Sequence, residues 1–326
     1  MSELWLAWLA IIAGFCGLVW SADRFVAGSA AIANNLGVSR LVIGLTIVSL
    51  GTSAPEIVVS ISAALKHSGE LAVGNALGSN IANIGLVLAI TTLLAPLPIQ
   101  AHLVKQEIPI LVAVTALAGW VLYDARLVAF EGILLLAILV PLLVFIVHSK
   151  RKHPPGPEEL AEITVMPNAT AVLCFVLGLS VLIGSSETLV WGASSVATAF
   201  GVSPLIIGLT VVAVGTSLPE LAASVVSALK GHQDMALGNI IGSNIFNILT
   251  VMAIPGIIHT TSMEPEVFSR DFAAMAAITA LLAAAIIVDF QIRKWRSSAG
   301  KTVHLGRLIG SVLLVCYAGY YYLLFR

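Results

Sequence analysis

Ten stretches of this chain are apolar almost without interruption, at about residues 4–30, 40–65, 71–94, 107–123, 130–148, 169–198, 204–229, 236–258, 272–289 and 304–325. Charged residues, prolines and glycines gather at the breaks. A helix of about 20 residues crosses a roughly 30 Å hydrocarbon core, and most of the stretches supply that length. None alternates polar and apolar positions as a membrane barrel strand does, whereas a helix satisfies its own backbone in lipid. The pattern predicts an all-α membrane protein with ten transmembrane helices. The opening MSELWLAWLAIIAGF has no basic leader region and no small-residue cleavage site, so it reads as the first span and not as a removed signal.

Composition points the same way. Of 326 residues, 59% are hydrophobic and 10% charged, against about 45–50% and about 25% in soluble domains, so a water-facing surface could not be covered. The net charge of −1 offers no basic stripe, which argues against a nucleic-acid partner. Cys16, Cys174 and Cys316 each lie inside an apolar run without paired spacing and read as packing or lipid-facing thiols. Of the 16 Lys and Arg, eleven flank the breaks after spans 1, 3, 5, 7 and 9, four flank the others, and Arg24 lies within span 1. The positive-inside bias then places both termini outward in a cell inner or plasma membrane, with residues 149–168 as a short cytoplasmic linker.

Residues 39–90 and 203–254 align without a gap at an offset of 164, with 28 identities in 52 positions. The register extends to Asp23 with Glu187 and to Glu107 with Asp271. Each half holds five spans, an odd number, so a second copy enters the membrane in the opposite direction. The chain reads as two inverted-topology five-helix repeats, 1–148 and 169–326, a plan whose sites lie near the midplane.

GTSAPE at 51–56 and GTSLPE at 215–220 put Glu56 and Glu220 at matching depths. A lone ionisable group there costs about 2.5–3.5 kcal/mol and marks a functional site. With no Lys or Arg nearby in sequence, a mobile cation is the natural counter-charge. Pro55 and Pro219 remove the helical bonds to the carbonyls of Gly51 and Gly215, and Thr52, Ser53, Thr216 and Ser217 add hydroxyls. Ser49, Thr52, Ser53 and Glu56 are spaced to share one helix face. GNALGSNIAN at 74–83 and GNIIGSNIFN at 238–247 place Ser79 with Asn83, and Ser243 with Asn247, one turn apart. Gly74 with Gly78, and Gly238 with Gly242, are small-residue pairs suited to close helix packing, and Asn75, Asn80, Asn239 and Asn244 read as polar ties between helices.

An oxygen-only donor set suits a hard cation such as Ca²⁺, which takes about 6–8 ligands; Na⁺ competes for the same oxygens. Nothing calls for a cofactor or an enzymatic role. The seven histidines fall at span ends or in loops and read as solvated. Asp23 has Arg24 as a ready partner, and Glu107 and Asp271 read as first-turn acids that complement a helix dipole.

GTSxPE and GNxxGSNIxN, each present twice, resemble the two alpha repeats of the calcium/cation antiporter superfamily, in its bacterial sodium/calcium exchanger type. The resemblance spans nearly the whole chain. It implies that Glu56 and Glu220 bind Ca²⁺ with the residues matching Thr52, Thr216, Ser53 and Ser217. It also implies that Ser79, Ser243, Asn83 and Asn247, with backbone near Ser49 and Ala213, complete the Ca²⁺ and Na⁺ sites, and that the long first helix of each half slides to switch access. Some exchangers carry Asp where Asn83 or Asn247 stands; Asn at both lowers the charge of the site. Ca²⁺/Na⁺ exchange is the expectation and Ca²⁺/H⁺ antiport the nearest alternative. A cation channel and an acid-dyad enzyme are more remote.

Overall fold

The computed structural model describes residues 2–99, 101, 103–151, 166–201, 213–295 and 303–324. The helices are α1 Ser2–Asn35, α2 Arg40–Thr52, α3 Ala54–Leu65, α4 Gly69–Leu94, α5 Leu103–Leu122, α6 Ala129–Arg151, α7 Asn168–Ala199, α8 Ala213–Thr216, α9 Leu218–Leu229, α10 Gln233–Ile258, α11 Val267–Gln291 and α12 Arg307–Leu324. Among the described residues eight are long and apolar enough to cross a membrane, and α2 with α3, bent by 43°, makes a ninth. Of the expected seventh span, 204–212 lies outside the described residues; α8 and α9 are its described part. Most of the expected linker, 152–165, also lies outside them.

Two short antiparallel ladders join loops. β1 (Leu97–Ile99) pairs with β4 (Val303–Leu305), and β2 (Arg126–Leu127) with β3 (Thr261–Ser262). In each ladder the loop after the third span of one half pairs with the loop before the last span of the other. The sequence pattern does not announce such two- and three-residue pairings.

The chain gathers into two compact units, Met1–Pro55 with Ile146–Asn239, and Glu56–Phe145 with Ile240–Arg326. Each draws on both halves of the sequence. The repeat partners α3 and α9 are treated differently, since α9 belongs to the first unit and nearly all of α3 to the second.

In the first unit α1 and α7 pack along their length. Glycines set the contact: a Cβ on Gly178 would stand 2.5 Å from the backbone nitrogen of Phe25, and one on Gly28 2.5 Å from that of Phe175. Gly14 abuts Leu189 and Gly192 abuts Ala7 in the same way. Residue numbers that fall along one helix rise along its neighbour, so the first helices of the two halves run antiparallel, as inverted copies must. Phe25 and Phe175 add a ring contact at 5.1 Å, over a core that includes Leu18, Val26, Val48 and Leu182. Both long helices are followed by a left-handed glycine, Gly37 (φ 64°) and Gly201 (φ 80°), the conformation that closes a helix and that glycine adopts without cost.

In the second unit α4 is the central helix. It packs against α10, α11 and α12, with Gly85 taking the Tyr317 side chain and Gly310 lying on the Ala89 carbonyl. The outer α6 and α12 leave most of their apolar surface uncovered, as helices facing lipid do.

The α1–α7 contact makes a direct prediction. Gly178→Ala pushes a methyl into the Phe25 backbone and should destabilise the protein by about 1–3 kcal/mol. Gly184→Ala, on the same helix with nothing within 4 Å, should be neutral or stabilising by up to about 1 kcal/mol. Thermal unfolding in detergent distinguishes them; equal losses would contradict this account of the contact.

Candidate ion-binding site

The first unit builds one carboxylate site at two helix breaks. Ser53 (φ −82°, ψ 7°) separates α2 from α3, and Ser217 (φ −88°, ψ 4°) separates α8 from α9. Each lies two residues before its proline. Ser53 Oγ donates to Glu220 Oε1 at 3.0 Å, and Thr52 Oγ1 donates to Asn239 Oδ1 at 3.1 Å. Ser49 Oγ turns back to the Thr46 carbonyl at 3.1 Å, and the Ser49 carbonyl accepts from Ser53 N–H at 3.0 Å. Glu220 is fully buried, and its Oε2, with Ser217 Oγ, has no hydrogen-bond partner among the described residues. Ala213 and Thr216 open and close α8.

The carbonyl that Pro219 frees is not left open. Ser186 Oγ, on α7, donates to Gly215 O at 2.8 Å. The position equivalent to Ser186 on α1 is Ala22, which has no hydroxyl to offer Gly51. The two proline breaks therefore differ in how they are capped.

The second unit builds the other carboxylate site. Glu56 is fully buried; Ser79 Oγ donates to its Oε1 at a long 3.4 Å, and Asn75 Nδ2 donates to its carbonyl at 3.4 Å. Here α4 loosens into a π-helical turn over Asn83–Leu88, and α10 does so over Asn247–Val251. A π turn holds one residue more than the α pattern and is frequent at functional sites. Both turns begin on an expected ligand. Asn83, Asn247 and Ser243 Oγ are buried, and none of their polar side-chain atoms has a hydrogen-bond partner among the described residues. Ser60 Oγ caps the carbonyl of Val251, the last residue of the second turn, at 2.7 Å.

Leaving a buried polar group unsatisfied costs about 1–3 kcal/mol, and native interiors hold few. Here most of them fall on the repeat motifs, with Ser194, Ser227, His232 and Thr250 outside. Hydroxyl and amide oxygens with unused lone pairs, set beside carboxylates, are what a hard cation coordinates. No group of three or more His, Cys, Asp or Glu placed to hold a metal ion occurs among the described residues, and the donors at these two sites are mixed.

Several expectations change. The shared face of Ser49, Thr52, Ser53 and Glu56 is interrupted at Ser53, because the helix bends there. Among the asparagines, Asn75, Asn80 and Asn239 bond across segments, but Asn244 Nδ2 folds back on Ile240 O of its own helix. Gly238 packs tightly on the Leu41 carbonyl, while Gly74 and Gly78 have nothing within 4 Å. Asp23 pairs with Lys230 at 2.6 Å, and not with Arg24, which lies over the Trp20 ring. Glu107 and Asp271 do not open their helices: α5 and α11 begin four residues earlier with π turns, which leaves both acids buried. Asp271 is bound by Arg270 at 2.8 Å and by Tyr320 Oη at 3.1 Å.

His67 and His259 are exposed, as expected, and His232 is not. His67 and His259 rings lie 4.4 Å apart. They line a 710 Å³ cavity in the second unit, with Glu70, Glu264 and Glu266, that reaches Gly74, next to Asn75. His232, in the loop after α9, is largely buried, and its Nδ1 has no hydrogen-bond partner among the described residues. Ser186, Ser60 and Ser224 join the site only in the structure. The last two match at the 164 offset and could have been found; Ser186 faces Ala22 across the repeat and could not.

Fold and site together define an ion antiporter embedded in the membrane. The pattern of the sodium/calcium exchanger protein family matches residues 6–148 and 170–326, and the chain belongs to that family, whose members are exchangers and not enzymes. CaxA of Alkalimonas amylolytica, provisionally named an antiporter, is 45% identical over 326 residues, 98% of this chain and 99% of its own. The sodium/calcium exchanger MaX1 of Methanosarcina acetivorans is 28% identical across 97% of this chain and 98% of its own. Among solved structures, the sodium-calcium exchanger NCX_Mj superposes with a TM-score of 0.81 at 30% identity, over 97% of both chains.

Burial, with Arg40 and Lys230 nearby, pushes the His232 imidazole down from 6.5 to about 4. Between those values the unfolded chain takes up a proton that the folded one refuses, so stability falls as pH drops through this window. His232→Gln should lose less thermal stability than the parent between pH 6.5 and 4.5. Parallel melting-temperature profiles would contradict the assignment.

Proposed function

We propose that this protein exchanges Ca²⁺ for Na⁺ by alternating access, and that Glu56 and Glu220 supply the charge the cation meets. The observation that carries the reading is the Ser53–Glu220 hydrogen bond of 3.0 Å beside an unpartnered Oε2, at a proline break inside an apolar span. A hydroxyl that donates to a carboxylate turns its lone pairs outward, ready for a cation. Asn83, Ser243 and Asn247 offer further oxygens of the kind Ca²⁺ and Na⁺ share. Two carboxylates balance one Ca²⁺, and occupancy by one ion species at a time couples the two fluxes.

In this reading residues 1–148 and 169–326 are the two five-helix repeats, and 149–168 is a cytoplasmic linker. Both termini face outward, as the Lys and Arg distribution favours. The long helices α1 and α7 slide to change access, which requires the Asp23–Lys230 pair to yield. That pair is partly exposed, and such pairs are worth about 0–1 kcal/mol, so it biases the motion without blocking it. Asn at both 83 and 247 lowers the charge available for Na⁺ and is the specific ground for Ca²⁺/H⁺ antiport as the second reading.

Uptake of labelled Ca²⁺ into proteoliposomes under an imposed Na⁺ gradient tests both. Glu56→Gln and Glu220→Gln should each reduce uptake by about 100-fold or more, the scale of losing a charged partner in a buried site; full uptake in either would remove that residue from the site. Collapsing the Na⁺ gradient while holding the pH gradient should stop uptake. Uptake that continues identifies H⁺ as the driving ion, and flux without any counter-ion dependence identifies a channel.

A further inference from the structure

We propose that Asn239 is a positioning residue: its side-chain amide sets the direction of the Thr52 hydroxyl, so that Thr52 and the Ser49 carbonyl present lone pairs to the transported cation. The inference rests on the placement of Thr52 in the ion site made above, and it concerns a residue whose simpler role is to tie helices together.

The chain of hydrogen bonds has only one possible polarity. Asn239 is 1% exposed, and its Nδ2 lies 3.4 Å from the backbone carbonyl of Glu220 and 2.9 Å from Ser224 Oγ. A carbonyl oxygen can only accept. The edge of the amide facing Glu220 must therefore be the NH₂, and a flipped amide would set two acceptors against each other. The opposite edge, Oδ1, then faces Thr52 Oγ1 at 3.1 Å. Because Oδ1 can only accept, Thr52 is the donor in the bond between them.

A threonine hydroxyl has one proton and two lone pairs. Three acceptors compete for that proton: Asn239 Oδ1 at 3.1 Å, the Ser49 carbonyl, one turn back on the same helix, at 3.3 Å, and the Glu220 carboxylate, which the Thr52 side chain also reaches. If the proton goes to Ser49 O, that carbonyl is partly consumed and the hydroxyl is turned along its own helix. With the proton on Asn239, the Ser49 carbonyl keeps a lone pair beyond the one it gives to Ser53 N–H. The backbone of Glu220 thus dictates, through one amide, how a hydroxyl of the other repeat is oriented. Asn75, the repeat equivalent of Asn239, makes the first link in the same way, with Nδ2 on the Glu56 carbonyl at 3.4 Å.

Double-mutant cycles on Ca²⁺ uptake by the full chain in proteoliposomes test this. Asn239→Leu should raise the KM for Ca²⁺ by about tenfold with the maximal rate changed less than about twofold, the signature of lost ligand orientation in binding. In a Thr52→Val background the same substitution should shift KM by less than about twofold, because the hydroxyl through which it acts is gone. Ser224→Ala, which loosens only the anchor of the amide, should raise KM by about threefold, and should also lose its effect in Thr52→Val. This milder variant serves if Asn239→Leu does not fold. Shifts in KM that multiply with that of Thr52→Val would overturn the proposal, as would a fall in maximal rate at constant KM. A normal KM in Thr52→Val alone would remove Thr52 from the ion site, and it shows in the single variant before any cycle is read.

Discussion

Hydrocarbon gives a backbone nothing to bond to, so a transmembrane helix that breaks must find partners for each group it exposes. This protein breaks at Ser53 and Ser217, at the level of its buried carboxylates, and much of its architecture answers the resulting need. Ser186 covers the Gly215 carbonyl, Ser60 covers the end of the second π turn, and Asn239 and Asn75 hold the carbonyls of Glu220 and Glu56. What these partners leave uncovered is confined to a few hydroxyls, amides and carboxylate oxygens. The function proposed above follows from that remainder.

The sequence is more symmetric than the structure. At the 164 offset the motifs match nearly letter for letter, yet α9 groups with the long helices and α3 with the other unit. Gly238 is tightly packed while Gly74 stands open beside a polar cavity. Inverted copies embedded in one chain cannot occupy identical surroundings in a given state. An exchanger uses this, since the arrangement of one half at one moment is that of the other half at the next.

Much of this was legible in the sequence. Apolar runs long enough to span a membrane announce themselves by composition, and the paired Glu residues stand out because charge is scarce. The sequence pattern starts α5 and α11 four or five residues late, because a π turn has no compositional mark and the acids Glu107 and Asp271 resemble helix starts. The partner of Asp23 is not legible in the sequence, since Lys230 lies 207 positions away whereas Arg24 is adjacent. Which way an amide points is decided by a carbonyl on another helix, so the bonding of Asn239 could not be read from its motif. The glycines of α1 and α7 are visible in the sequence, but only antiparallel packing shows that Gly28 and Gly178 press on the facing backbone at Phe175 and Phe25.

The π turns carry a further consequence. Besides Gly44–Val48, whose counterpart lies outside the described residues, they occur at Asn83–Leu88 and Asn247–Val251, and again at Leu103–Glu107 and Val267–Phe272, the same places in both halves. A π turn amounts to a one-residue insertion that survives only where its surroundings hold it. Two independent insertions at each of two matched places are less economical than inheritance from a common half. The matched turns therefore date from before the two halves diverged.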